Sequence, residues 1–437
     1  MIRIAAFALL LGVAWGQETP KKEEPKKDEP KAEAKKDEPK KPVYVALVGG
    51  DVVTVTKGTL KGATVLFKDD KIHRIGHGIP LPERTTQFDV KGKRVLPGYV
   101  AAQARGLGLS GWGGGKISDS LDPYAETVKL ALASGITTAY LEFGFGGGFW
   151  GGRVGTMGQS NAVVKMSYGR LAEMTVLEPA AVNLSNWTHS PASQKHEIRE
   201  RFMKARDFIL KTRDYEKRKA ENRLQPNEQP PQNPGVDNEV KLLRREIAAR
   251  IDASTADDIR SALQLLEDFP FACVLVNVDE GWTMPDEISR VGATCLITPR
   301  NRVYADRNVN RPNGSSIEQA AILRRAGVKF AVVPLAPSID LDGIAGRDLL
   351  TLPIETAFAI RGGLDERTAL ESITITAAEM IGVSHRVGSI EEGKDADVIV
   401  LDGDPFDYRT FVEKTFVNGR LLYDKDKSPY FSHIRRK

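Results

Sequence analysis

Apolar and polar residues alternate with two different periods along this chain: period two near both ends, helical periodicity between them. Ala46-Leu47-Val48, Asp51-Val52-Val53-Thr54-Val55, Ala63-Thr64-Val65-Leu66-Phe67 and Lys71-Ile72-His73-Arg74-Ile75 are short β patterns. Gly49-Gly50, Lys57-Gly58 and Lys68-Asp69-Asp70 punctuate them. Residues 397–401, 413–417 and 420–423 repeat this character, with turns at 402–405 and Asn418-Gly419. In the middle, a helical pattern at 125–133 stops at Ser134-Gly135 before a strand at 136–141. A second, at 256–269, opens with Asp257-Asp258, which suits a positive helix start, and leads into a strand at 272–276. A third, at 316–325, precedes a strand at 328–333. Repeated βα units with short connections predict a parallel sheet covered by helices. Periodicity alone leaves both a closed barrel and an open doubly wound sheet standing. Residues 195–223 read as a charged helix and 226–234 as a Pro/Asn/Gln loop, together a solvated surface insertion.

The first residues change the picture of compartment. Met1-Ile2-Arg3 is a short cationic start, residues 4–13 are an apolar run too short to span a bilayer, and Ala14-Trp15-Gly16 presents small residues for signal peptidase. This predicts a signal peptide over 1–16 and an exported protein, periplasmic or extracellular. Residues 17–42 repeat Lys, acidic residues and Pro without one large apolar side chain, the composition of a disordered tether. No later stretch is long and apolar enough to cross a membrane. A net charge of +4, spread without a basic stripe, argues against nucleic acid as partner. Cys273 and Cys295 are the two cysteines, and a disulfide or two buried thiols both remain open.

Two stretches far apart carry a resemblance. Lys93-Arg94-Val95-Leu96-Pro97-Gly98-Tyr99, running on to Gly106, and Val387-Gly388-Ser389-Ile390-Glu391-Glu392-Gly393-Lys394-Asp395-Ala396-Asp397, running on to Asp402, together resemble the amidohydrolase superfamily. The charged segment 199–207 is similar to a lysine-rich helix of its imidazolonepropionase-related subgroup. The resemblance implies a (β/α)8 TIM-type barrel over 97–386 and a small β-sandwich built from 43–96 and 387–437. It also implies hydrolysis of C–N bonds other than peptide bonds, by zinc or another divalent metal held at the C-terminal ends of barrel strands. A His-x-His pair serves such a site because alternate strand residues point the same way.

In this chain the positions matching the family's ligands are Gln103, Arg105, Asp252, Asn277 and Leu335. Gln103 and Asn277 are weak neutral donors, Asp252 is the one hard carboxylate, and Arg105 brings a permanent positive charge to the metal's locus. A metal lowers the pKa of bound water from about 15.7 to about 7, so about 12 kcal/mol of nucleophile activation leaves with it. None of the six histidines falls at a predicted strand end, and no Gly-x-Ser-x-Gly elbow occurs. Lys165 resembles the family's carboxylated bridging lysine, with a structural role as the alternative. Asp340 and Asp342 could replace the missing acid or belong to a loop. The glycine-rich run 144–152 resembles a barrel-mouth loop, with Trp150 and Trp112 as pocket walls or simple packing. The expectation is therefore no cofactor, an Arg105–Asp252 ion pair in place of the metal, and no catalysis. A small-molecule ligand or a related active amidohydrolase would be the partner, with a homodimer by family analogy. The alternative is an active hydrolase of amides or cyclic amides with a remodelled site.

Overall fold

A computed structural model describes residues 42–110, 115–143, 160–184, 186–339 and 348–428. Expectations on the signal peptide, the tether, Trp112, Trp150, Asp340, Asp342 and the run 144–152 lie outside them. The first five strands are β1 (Tyr44–Val53), β2 (Thr59–Lys68), β3 (Lys71–Gly76), β4 (Thr86–Asp89) and β5 (Arg94–Pro97). The chain then enters the αβ region through β6 (Tyr99–Ala104). Gly98 allows this entry: a Cβ there would fall 2.1 Å from Thr137 Oγ1.

The barrel wall consists of two arcs. One holds β6, β7 (Ile136–Glu142), β8 (Asn161–Lys165) and β9 (Thr175–Leu177). The other holds β10 (Ala181–Asn183), β11 (Ala248–Asp252), β12 (Cys273–Val276), β13 (Thr294–Ile297) and β14 (Phe330–Val332), parallel throughout. The expected wholly parallel sheet fails at β8, which runs antiparallel to β7 and β9. An antiparallel neighbour needs no crossover helix, so β7 and β8 pair directly.

Polar contacts join the arcs at both seams. Asn161 accepts from the Ala180 and Ala181 N–H groups at 2.9 and 2.8 Å and donates to Ala181 O at 3.0 Å. At the other seam Arg105 N–H donates to Pro337 O at 2.6 Å, just past β14. Val100, Tyr140, Val163, Val274, Leu296 and Ala331, from both arcs, share one apolar interior. Helices cover the outside. The helix Ala256–Asp268 starts with a capping box, Thr255 and Asp258 each bonding the other's backbone N–H, and buries Ile259, Ala262 and Leu266 against the wall. Cys273 and Cys295 are buried free thiols, and burial pushes Cys295 up to about 12.

The charged insertion is a 29-residue helix, Ala192–Ala220, with Phe202 and Ala205 as its buried residues. Phe202 anchors it by stacking between Phe269 and Phe271, with ring centroids 5.1 and 5.2 Å away. Among the described residues, no helix is long and apolar enough to cross a membrane.

The chain closes with β15 (Val398–Leu401), β16 (Val412–Val417) and β17 (Arg420–Asp424). These join the N-terminal strands in one mixed sheet of order β17-β16-β15-β5-β1-β2-β3, with β4 beside β1. The contact runs through β5 and β15, Arg94 opposite Leu401 and Pro97 opposite Val398. The two stretches that carry the family resemblance are therefore hydrogen-bonded neighbours.

Candidate functional site

The site is built at the C-terminal end of β6. Val100 and Ala102 face the barrel interior, but Ala101 and Ala104 both face the helices. Pairing with β7 slips between Ala101 and Ala104, a bulge that turns Gln103 back toward the mouth. Gln103 Nε2 donates to Glu142 Oε1 at 3.0 Å. Arg105 donates to the same oxygen from Nε at 3.4 Å and Nη2 at 3.2 Å. Gln103 and Glu142 are buried, whereas the Arg105 side chain is 43% exposed.

This corrects the expected ion pair. Arg105 pairs with Glu142, not with Asp252. β7 is the sheet neighbour of β6, while β11 lies in the middle of the other arc, so the adjacent carboxylate captures the guanidinium. Glu142 was missing from the expected site because the predicted strand stopped at Leu141. One more step of the same alternation, from Tyr140, reaches it.

Asp252 ends β11, and Asn277 follows β12 with a left-handed φ of 57°, a conformation Asn tolerates. That turn brings Asn277 Nδ2 to 3.1 Å from Asp252 Oδ2. Burial raises the Asp252 pKa; the Asn277 hydrogen bond and the His189 charge oppose it without cancelling it. Asp279 lies beside this pair, accepting from Ser254 Oγ at 3.2 Å and Asn301 Nδ2 at 2.8 Å. Burial raises its pKa too. Leu335 lies beyond β14 and is 48% exposed; it offers no polar group.

Lys165 does not join this site. Because β8 runs antiparallel, its last residue lies at the end of the barrel wall facing the terminal sheet. There Nζ, 1% exposed, donates to Asp395 Oδ2 at 2.5 Å, Asp397 Oδ1 at 3.0 Å and Asn418 Oδ1 at 2.5 Å. Lys71 and Arg386 also pair with Asp395. Burial opposes ionisation of both aspartates. The three cations hold the Asp395 pKa below the ordinary range, whereas Asp397 stays raised.

The donor set does not fit a catalytic metal. The Gln103 amide N–H and the Arg105 guanidinium both point at one carboxylate oxygen, so that oxygen already serves two donors and a fixed positive charge stands beside it. The remaining carboxylates, Asp252 and Asp279, are disfavoured as anions by their burial. Among the described residues no three His, Cys, Asp or Glu side chains stand together where they could hold an ion.

Known proteins resemble parts of this chain. The sequence model of the amidohydrolase family matches residues 281–422. An imidazolonepropionase from Thermoplasma volcanium is 42% identical over 65 residues, 14% of this chain and 16% of that protein. An N-acetylglucosamine-6-phosphate deacetylase from Danio rerio is 35% identical over 97 residues, 20% of this chain and 23% of that protein. The chain thus spans less than a quarter of the length of either relative. An amidohydrolase from Thermotoga maritima shares the fold, with a TM-score of 0.64 at 24% identity over 87% of this chain and 100% of that one. Residues 281–422 thus match an amidohydrolase-family domain, and the chain shares its fold with that amidohydrolase.

Proposed function

We propose that this protein is an exported amidohydrolase homologue that binds a small-molecule ligand at the barrel mouth without a metal and without hydrolysing it. The observation that carries this reading is the Gln103–Arg105–Glu142 cluster at the end of β6. A guanidinium cannot be deprotonated at physiological pH, so it repels a divalent cation and cannot be recruited as a ligand. Fold and chemistry part company readily on such barrels. The five positions are distributed over the ends of β6, β11 and β12 and the segment after β14, so no single change supplies a ligand set. The apolar start of the chain supports export.

The test is an assay of amide and cyclic-amide substrates with zinc or manganese supplied, on the wild type and on the double variant Gln103→His/Arg105→His. Both are expected to be inactive, because Asp252, Asn277 and Leu335 remain. Hydrolysis by the wild type overturns the reading.

One observation favours a second reading, an active C–N hydrolase with a remodelled site. Asp252 and Asp279 both have raised pKa values through burial, which suits a carboxyl for general acid–base work. In that case Asp252→Asn abolishes turnover while leaving the fold intact.

A further inference from the structure

Directly below the mouth lies a buried guanidinium that no carboxylate among the described residues pairs with. Arg250 sits two residues before Asp252 on β11 and is 3% exposed. Its Nη1 donates to Ala102 O at 3.2 Å, and its Cζ lies 4.0 Å from the centroid of the Tyr140 ring. Its Nη2 is buried with no hydrogen-bond partner. The Tyr140 hydroxyl, on a residue 1% exposed, is likewise without a partner.

Buried charges are ordinarily paired, and arginine cannot escape by losing its proton. The two carboxylates one alternation step higher are already engaged. Glu142 serves Gln103 and Arg105, and Asp252 serves Asn277. A ring face and one carbonyl oxygen answer neither the full charge nor the free N–H. What is missing is an acceptor carrying one negative charge.

We propose that the barrel interior binds a small monovalent anion, a carboxylate group or a halide, between the Arg250 guanidinium and the Tyr140 hydroxyl. This deepens the ligand-binding reading above and rests on it. The anion accepts from Nη2 and from the hydroxyl, the two donors left free. A carboxylate held there directs its substituent up toward Arg105, Asn277 and Leu335, which are partly or fully exposed at the mouth. Tyr140 keeps its proton, since burial raises its pKa far above neutrality.

The test uses the full chain. Its thermal midpoint is titrated with sodium acetate and sodium bromide, each against sodium sulfate at matched ionic strength, and bromide-soaked crystals are searched for anomalous signal. A saturable rise with acetate alone assigns the site to carboxylates, and a rise with both assigns it to small monoanions generally. Tyr140→Phe keeps the ring under the guanidinium and removes one donor, so the apparent Kd rises about tenfold. Arg250→Gln abolishes the response. Absence of any saturable shift overturns the proposal, as does wild-type affinity in Tyr140→Phe, or a water in place of bromide at Arg250. Hydrolytic activity in the wild type would overturn the non-catalytic reading while leaving these binding results to stand or fall on their own.

Discussion

At the scale of single residues, the mouth is organised by one carboxylate oxygen with three donor contacts. Glu142→Gln removes the charge that answers Arg105 and weakens every contact to Gln103. It is expected to cost about 1–3 kcal/mol in urea unfolding. Arg105→Gln is expected to cost less, about 0–1 kcal/mol, because its guanidinium is largely solvated and Gln103 still reaches Glu142. Equal losses from the two variants would mean that Glu142 is held by something other than this pair. Asp252 gives a pH signature. Its folded pKa is raised above the ordinary 3.8, so folding favours the protonated form. Its contribution is present below that ordinary value and is lost as pH rises through the raised one. Asp252→Asn keeps an acceptor for Asn277, so its thermal midpoint is expected to exceed the wild type's at neutral pH and to match it well below pH 3.8. A gain of equal size at both pH values would assign the effect to packing. The places of Gln103 and Asp252 on strands were legible in the sequence because alternation and flanking motifs fix them. The partner of Arg105 was not legible, since it depends on which strand lies beside β6.

At the scale of elements, the direction of β8 decides what Lys165 does. An all-parallel barrel would have carried that lysine to the mouth; an antiparallel strand carries it to the terminal sheet. There it holds together β8, the Asp395-Ala396-Asp397 segment and the Asn418 turn. Lys165→Met leaves Asp397 without its cation and Asp395 with Lys71 and Arg386 only. Breaking a buried pair from one side costs about 3–5 kcal/mol, and calorimetry is expected to show a loss of that order. A loss below about 1 kcal/mol, the size of a surface pair, would contradict the clamp. Strand direction is hard to read here because a buried run such as Asn161-Ala162-Val163-Val164-Lys165 looks the same in either orientation. The helices were easier. Asp257 and Asp258 announce a helix start, and the charged run at 195–223 announces a largely solvated helix.

At the scale of the whole molecule, the two ends of the chain meet in one sheet and brace the barrel from the side opposite the mouth. Much of this was visible beforehand, since β patterns at both termini around an αβ centre have few ways to bury their apolar faces. The two arcs and their polar seams were not visible, because they rest on side-chain contacts of Asn161 and on the Arg105 backbone. A mouth braced in this way, with an ion pair at the end of β6, is proposed to receive a ligand and no metal. The most direct test is the zinc and manganese content of the full chain, purified without chelators and again after incubation with each ion. Substoichiometric metal under both conditions and no amide hydrolysis are expected. Stoichiometric, tightly held metal with its ligands at Asp252 or Asp279 would contradict this expectation.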